Sequence, residues 1–292
     1  PWHAHAGHTS QVMNLNLFEQ AGLKPLPTEE PYEWKIEQEL EWAKAITKVE
    51  GGKTTAWGRA LSTGYDHLVG MCQAFGSHVI SDDGRSVRLG EDKARQAIKW
   101  IYDRAYTHKY APPAANIEGN ERQMFFSGKL GVYQVVASHV PPMLQEVGDR
   151  FKIGTAVHPT GPAGLAGAIF CVNTLGITSN CKNKAEAWQA LTMHCGHDAG
   201  VQKVLYGAGS PGGRYDCFSD PEIIKRFAPA KLLMYQMDHT HPDPLPWNWR
   251  CDEFRAALTQ NLDNIWVGKA TVDEGVDQTI KALNDVLKLE AL

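Results

Sequence analysis

Apolar and polar positions along this chain recur in two periods, and the switching between them predicts its elements. From Trp34 onward, Ile36, Leu40, Ala43 and Ile46 follow one another at three- and four-residue steps, a helix face expected to end at Gly51-Gly52. Glu91 to Tyr106 carries Ala94, Ile98, Ile101 and Ala105 on one stripe, and Asp252 to Trp266 carries Phe254, Leu258, Leu262 and Ile265. Thr271-Val-Asp-Glu274 is a capping box for a last helix whose Val272, Val276, Ile280, Leu283 and Leu287 face inward. Shorter apolar runs read as strands: Ser10 to Asn14, Thr54 to Trp57, Lys129 to Val136 and Phe151 to Val157. Ser81-Asp-Asp-Gly84 reads as a hairpin-type turn. Helices alternate with short strands throughout, so the class is α/β.

Phe151 to Asn173 breaks this rhythm. Phe151, Ile153, Thr155 and Val157 alternate as a strand entering a core does. Pro159-Thr-Gly-Pro162, Gly164 and Gly167 then interrupt the pattern before a second apolar run, Ala168 to Val172. Strand, turn-rich segment, strand fits an ordinary loop within one sheet, and it also fits a crossing between two bodies.

Composition narrows the function classes. The 292 residues, 43% hydrophobic and 21% charged, suffice for one large domain or two ordinary ones. A formal charge of −4 argues against nucleic acid as a partner. No run of eighteen apolar residues is present to span a membrane. The chain starts at Pro1 without a Met or a signal peptide and reads as processed or as a fragment. Six cysteines, none in a CxxC pair, exclude zinc-ribbon and thioredoxin-type motifs and leave disulfide pairing open.

Other chemistry is weighed motif by motif. His3, His5 and His8 lack nearby carboxylates or Cys to complete a tetrahedral metal set, and a frayed terminus is the simpler reading. No metal site and no cofactor is expected. A hydrolase built on these and on His239 and His241 would need a motif such as HExxH, which is absent. The glycine-rich stretch from Gly207 to Arg214 lacks the GxxxxGK[ST] spacing of a phosphate-binding loop.

Four stretches, in order, resemble one family, the bacterial extracellular solute-binding proteins of ABC importers, in their carbohydrate-binding, maltose-binding-protein-like group. Val12 to Leu23 (VMNLNLFEQAGL) resembles the family's YYNKDLFEEAGL pattern, and Phe125 to Gly131 (FFSGKLG) its FxxGKxAM pattern. His158 to Gly164 (HPTGPAG) resembles a lobe-crossing segment, and Ile265 to Gly275 (IWVGKATVDEG) the family's C-terminal IWxGKxTxEEAL. The resemblance implies a type II periplasmic-binding-protein fold of two α/β lobes joined by a hinge, with the first lobe incomplete here. It implies that 9–160 and 219–292 form the second lobe, that 164–218 belong to the first, and that 158–168 cross between them. Phe151 to Asn173 then becomes an interlobe crossing.

For function, the resemblance implies a periplasmic or cell-surface protein without catalytic residues, which hands a small solute, a sugar or polyol, to the permease subunits of an importer. The cleft positions implied are Tyr65, Ser138 and His139, then Trp247, Trp249 and Arg250 from the second lobe, with Gly167, Ala168, Ser210 and Arg214 from the first. A flat aromatic face suits the C–H side of a sugar, and planar polar groups suit its hydroxyls. One of the two tryptophans is expected buried and the other facing the cleft. A second reading, a phosphorylated polyol or other anion held by Arg214 and Arg250, stays open.

Overall fold

The computed structural model describes residues 2–206, 213–226 and 230–292. The chain begins with one long strand, β1 (Trp2–Asn14), and passes directly into α1 (Leu15–Gln20), because the Asn14 side chain accepts from the N–H groups of Asn16 and Leu17. Then follow α2 (Glu39–Ile46), the hairpin of β2 (Lys48–Glu50) and β3 (Lys53–Arg59), α3 (Tyr65–Phe75) and α4 (Asp92–Tyr106). Next come α5 (Glu121–Phe126), β4 (Leu130–Val136), α6 (Val140–Val147), β5 (Ile153–Ala156) and β6 (Phe170–Leu175). The rest is helical: α7 (Lys184–His194), α8 (His197–Leu205), α9 (Tyr215–Phe218), α10 (Pro221–Arg226), α11 (Ala230–Asp238), α12 (Cys251–Trp266) and α13 (Val272–Leu287).

The strands join in the order β2-β3-β4-β1-β5, with β6 pairing β1 off that path. β1 serves two partner sets. Its residues from Thr9 to Asn14 run antiparallel to β4 and β5, whereas those from Trp2 to His8 run antiparallel to β6. β3 and β4 are parallel, and β4 and β5 both oppose β1, so β3, β4 and β5 point the same way. Their carboxyl ends gather at the edge where β1 changes partners, since Thr9 sits opposite Val136 and Gln11 opposite Ala156.

Both faces of the sheet are covered, and β1 sorts its side chains between them. Met13, Val132 and Ala156 enter the larger core, shared with α3, α4, α12 and α13. Val12, Val135 and the half-buried Ile153 enter a smaller core with Phe125 of α5 and Met143 of α6. On α12 the inward residues are Phe254, Leu258, Leu262 and Ile265, as the periodicity predicts. The capping box at Thr271 and Glu274 forms, and Val276, Leu283 and Leu287 are buried. Ile80 bridges Val87 across the Ser81–Gly84 turn.

Several expectations are corrected. Residues 2–8 form strand rather than a frayed end. α2 stops at Ile46, where Thr47 turns extended, while Gly51 and Gly52, both at positive φ, make the β2–β3 hairpin turn instead. In β5 the fully covered positions are Gly154 and Ala156, with Ile153 and Thr155 only half buried, because a neighbouring element leaves room for small residues alone: a Cβ on Gly154 would lie 2.9 Å from Leu15 Cδ2.

Candidate functional site

A cavity of about 540 Å³ opens at the carboxyl ends of β3 and β4. In open sheets with parallel strands this edge collects ligands, because the loops that leave the strands splay apart there. The loop after β3 supplies Ser62 and Gly64, and α3 supplies Tyr65, Asp66 and His67. β4 contributes Tyr133 to Val136 and the segment after it His139, while Thr9 enters from β1, Glu121 from α5, and Arg255 and Thr259 from α12.

The walls are aromatic and hydrogen-bonding, with little unbalanced charge. Arg255 is the only Arg or Lys among these lining residues. Its guanidinium lies 4.5 Å from the centre of the Tyr65 ring and its Nη2 is 2.9 Å from Asp66 Oδ1. The Tyr65 hydroxyl donates to Asp243 Oδ2 at 3.2 Å. Burial pushes the Asp243 carboxyl up to about 6, with Asp66 adding to the rise and the Tyr65 hydroxyl opposing it. Burial also raises the Tyr65 phenol. Glu121 accepts from the Ser62 N–H at 2.9 Å, and its carboxyl is likewise raised by burial.

A buried charge cluster sets the shape of this wall. Glu39, Arg59 and Arg104 are fully buried, from α2, β3 and α4 respectively. Glu39 pairs with Arg59 and, at 2.7 Å, with Arg104 Nε, and it accepts from the Tyr110 hydroxyl at 2.8 Å. Burial alone would raise the Glu39 carboxyl; Arg104 and Arg59 overturn that and hold it below the usual range. Arg104 Nη1 also reaches the Leu61 carbonyl at 3.4 Å and His67 Nε2 at 2.6 Å. A guanidinium only donates, so His67 Nε2 accepts and the ring is neutral. Burial, then Arg104 and Arg59, hold the His67 pKa well below its ordinary value. The cluster thereby fixes the loop that carries Ser62, whose φ of 58° is left-handed.

The positions expected from sequence separate into groups. Tyr65 and His139 line the cavity, and Ser138 precedes His139 in the same 3-10 turn. Trp247, Trp249 and Arg250 are not among the lining residues. Trp247 donates from Nε1 to the Leu287 carbonyl at 3.1 Å and lies under the Arg85 guanidinium, and Arg250 bonds the Glu290 carbonyl and Glu253. Trp249 is 63% exposed. Gly167 and Ala168 are buried against α3, where a Cβ on Gly70 would come 2.5 Å from the Gly167 oxygen. Arg214 is half exposed and forks onto Asp216, and Ser210 lies outside the described residues.

His158, just after β5, is buried, and its backbone N–H donates to Gln236 Oε1 at 3.0 Å. Gln236 Nε2 donates in turn to the Thr9 carbonyl. The side chains of His3, His5 and His8 lie outside those described, and the imidazoles of His239 and His241 bond nearby backbone carbonyls, those of Tyr235 and Pro242.

Sequence reasoning missed Tyr133, Glu121, Asp66, Arg255 and Asp243. Tyr133 had a readable signal, an aromatic near the carboxyl end of a recognised strand. Asp243, between two prolines, had none.

Residues 12–193 match the family described as bacterial extracellular solute-binding protein. A protein of Brucella abortus (strain 2308), whose name describes it as a binding protein, is 28% identical over 191 residues, which cover 64% of this chain and 44% of that relative. The chain thus matches less than half the length of that curated relative. Among solved structures, the ABC substrate-binding protein of Listeria monocytogenes in complex with cycloalternan superposes with a TM-score of 0.83 at 14% identity, over 99% of this chain and 72% of that one. A solute-binding protein from Thermotoga lettingae TMO bound with alpha-D-tagatose gives 0.78 at 18% identity, over 98% and 71%. At these identities the likeness establishes fold alone. Among the described residues, no helix is long and apolar enough to cross a membrane.

Proposed function

Because the chain belongs to the bacterial extracellular solute-binding proteins and has the two-lobed type II periplasmic-binding-protein fold, we propose that its cavity takes up a neutral sugar or polyol. One observation carries the choice of ligand: the cavity offers two tyrosines, two carboxylates, a glutamine and two histidines, and its single guanidinium already faces Asp66. A phosphate entering it would meet Glu121 and Asp66, while a sugar would find acceptors and donors for its hydroxyls and ring faces for its C–H side. The anionic reading draws no support from this cavity, whose lining includes neither Arg214 nor Arg250.

On this reading, Thr9 to Thr160 and α11 to α13 belong to one lobe and β6 to α9 to the other, with β1 and the segment after β5 crossing between them. The protein acts outside the cytoplasm, binds without turning over its ligand, and presents it to the permease subunits of an ABC importer.

A thermal-shift and calorimetric panel of neutral mono- and oligosaccharides, polyols and sugar phosphates tests the proposal. The expected outcome is a raised Tm with neutral ligands. Tyr133→Ala is expected to weaken that binding by roughly tenfold through loss of one aromatic face. A preference for the phosphorylated ligands would overturn the reading.

A further inference from the structure

Where α8, α9 and α10 meet, three metal-ligating side chains converge: His197 at the start of α8, and Asp216 and Cys217 in α9. Their ligand atoms, an imidazole nitrogen, a carboxylate oxygen and the Cys217 Sγ, all lie within 4.8 Å of one another. A fourth donor stands beside them, with Asp220 Oδ2 at 3.5 Å from His197 Nε2. We propose that this cluster is a binding site for a zinc-class divalent cation, separate from the solute cavity, with which it shares no residue.

The donor set decides the class of ion. Thiolate with imidazole suits zinc and its borderline neighbours, whereas calcium and magnesium take oxygen alone. Bond lengths of about 2.0 to 2.3 Å around a tetrahedral zinc place its ligands about 3 to 4 Å apart. The cluster is therefore close to ligating size, and small side-chain rotations close it. Cys217 forms a buried floor, its Sγ 3.6 Å from the His197 carbonyl oxygen, while Asp216 and His197 reach solvent and leave an ion a way in.

One competitor must give way. Asp216 is forked by Arg214, with Nε to Oδ1 at 2.9 Å and Nη2 to Oδ2 at 2.6 Å. Both partners are about half exposed, and ion pairs in that setting contribute little. A cation bound by three or four donors at once displaces such a pair.

The placement gives the site a task. α9 has four residues and α10 six, too few for either to hold its own helix in water. An ion joining His197 to Asp216 and Cys217 clips α9 to α8, and Asp220, against His197, leads from there into α10.

The test uses the full chain with His3, His5 and His8 each changed to Ala, which silences the N-terminal imidazoles. After chelator treatment and dialysis it is titrated with zinc sulfate by calorimetry, and retained metal is measured by mass spectrometry. A single equivalent of zinc and a raised Tm are expected. Cobalt in place of zinc should give a thiolate-to-metal absorption band that Cys217→Ser removes. His197→Gln and Asp216→Asn should each weaken zinc binding at least about tenfold, the loss that even an outer-shell change can produce. Asp216 is exposed, so its variant folds even if a change at Cys217 does not. Substoichiometric zinc in the parent, or unchanged affinity in both His197→Gln and Asp216→Asn, would overturn the proposal.

Discussion

Asp243 shows how one side chain can couple the candidate site to pH. Its carboxyl, buried beneath Tyr65, titrates near 6 rather than near 3.8. The folded protein therefore holds this proton more tightly than the unfolded chain does. Between pH 4 and 6 the unfolded chain releases it and the folded one keeps it, so stability falls as pH rises through that window by up to about 3 kcal/mol. Asp243→Asn keeps a polar group that can accept from Tyr65 and cannot ionise. Urea unfolding of wild type and variant at pH 4, 5, 6 and 7 should show a steeper decline in the wild type than in the variant. Parallel curves would mean that the carboxyl titrates normally. The Tyr65 ring is also held by Asp243 on its hydroxyl and by Arg255 over its face.

At the scale of elements, α3 is seated by close backbone approach. Gly70 lets the helix touch the segment between β5 and β6 at Gly167, and any Cβ there would collide with backbone rather than with a flexible tip. Gly70→Ala is expected to destabilise by about 1–3 kcal/mol despite its better helix propensity. A chemical-denaturation midpoint equal to wild type would show that the approach can relax without cost. Elements of this kind were legible from sequence wherever one face is apolar and the other polar. The periodicity located α4, α12 and α13, and the Thr271 capping box forms. The pattern failed where tertiary neighbours decide, as when Gly51-Gly52 turned a hairpin instead of closing a helix. Buried charge was invisible as well. Arg104 occupies an inward helical position, and nothing local announces that Glu39 waits for it across the fold. The site was half legible for the same reason. Tyr65 and His139 follow from family order, but Glu121, Asp66 and Arg255 converge only through packing.

Across the whole molecule, the Glu39 cluster ties α2, β3, α3 and α4 into one body beneath the cavity. Glu39→Gln would leave two guanidinium groups buried without their carboxylate, at a cost of about 3–5 kcal/mol. The native carboxyl has a depressed pKa, so its contribution is present above pH 4.5 and fades as pH falls through the folded value. Acid unfolding of the variant should accordingly be less steep than that of the wild type, and equal steepness would reject the role given to Glu39. Gln236 reaches from α11 to the Thr9 carbonyl and the His158 N–H, and so joins β1 to the segment that follows β5. β1 itself imposes a further constraint. Because one strand threads both pairings and its register shift lies before His5, the residues from His5 to Asn14 keep a common alternation. Inserting a single residue between His8 and Thr9 would hand Met13 to the smaller core and Val12 to the larger one, exchanging the contents of the two layers while leaving composition almost untouched. Between His5 and Asn14 this strand therefore lengthens only by twos or by adding a further bulge, a parity constraint carried by the strand that both pairings share.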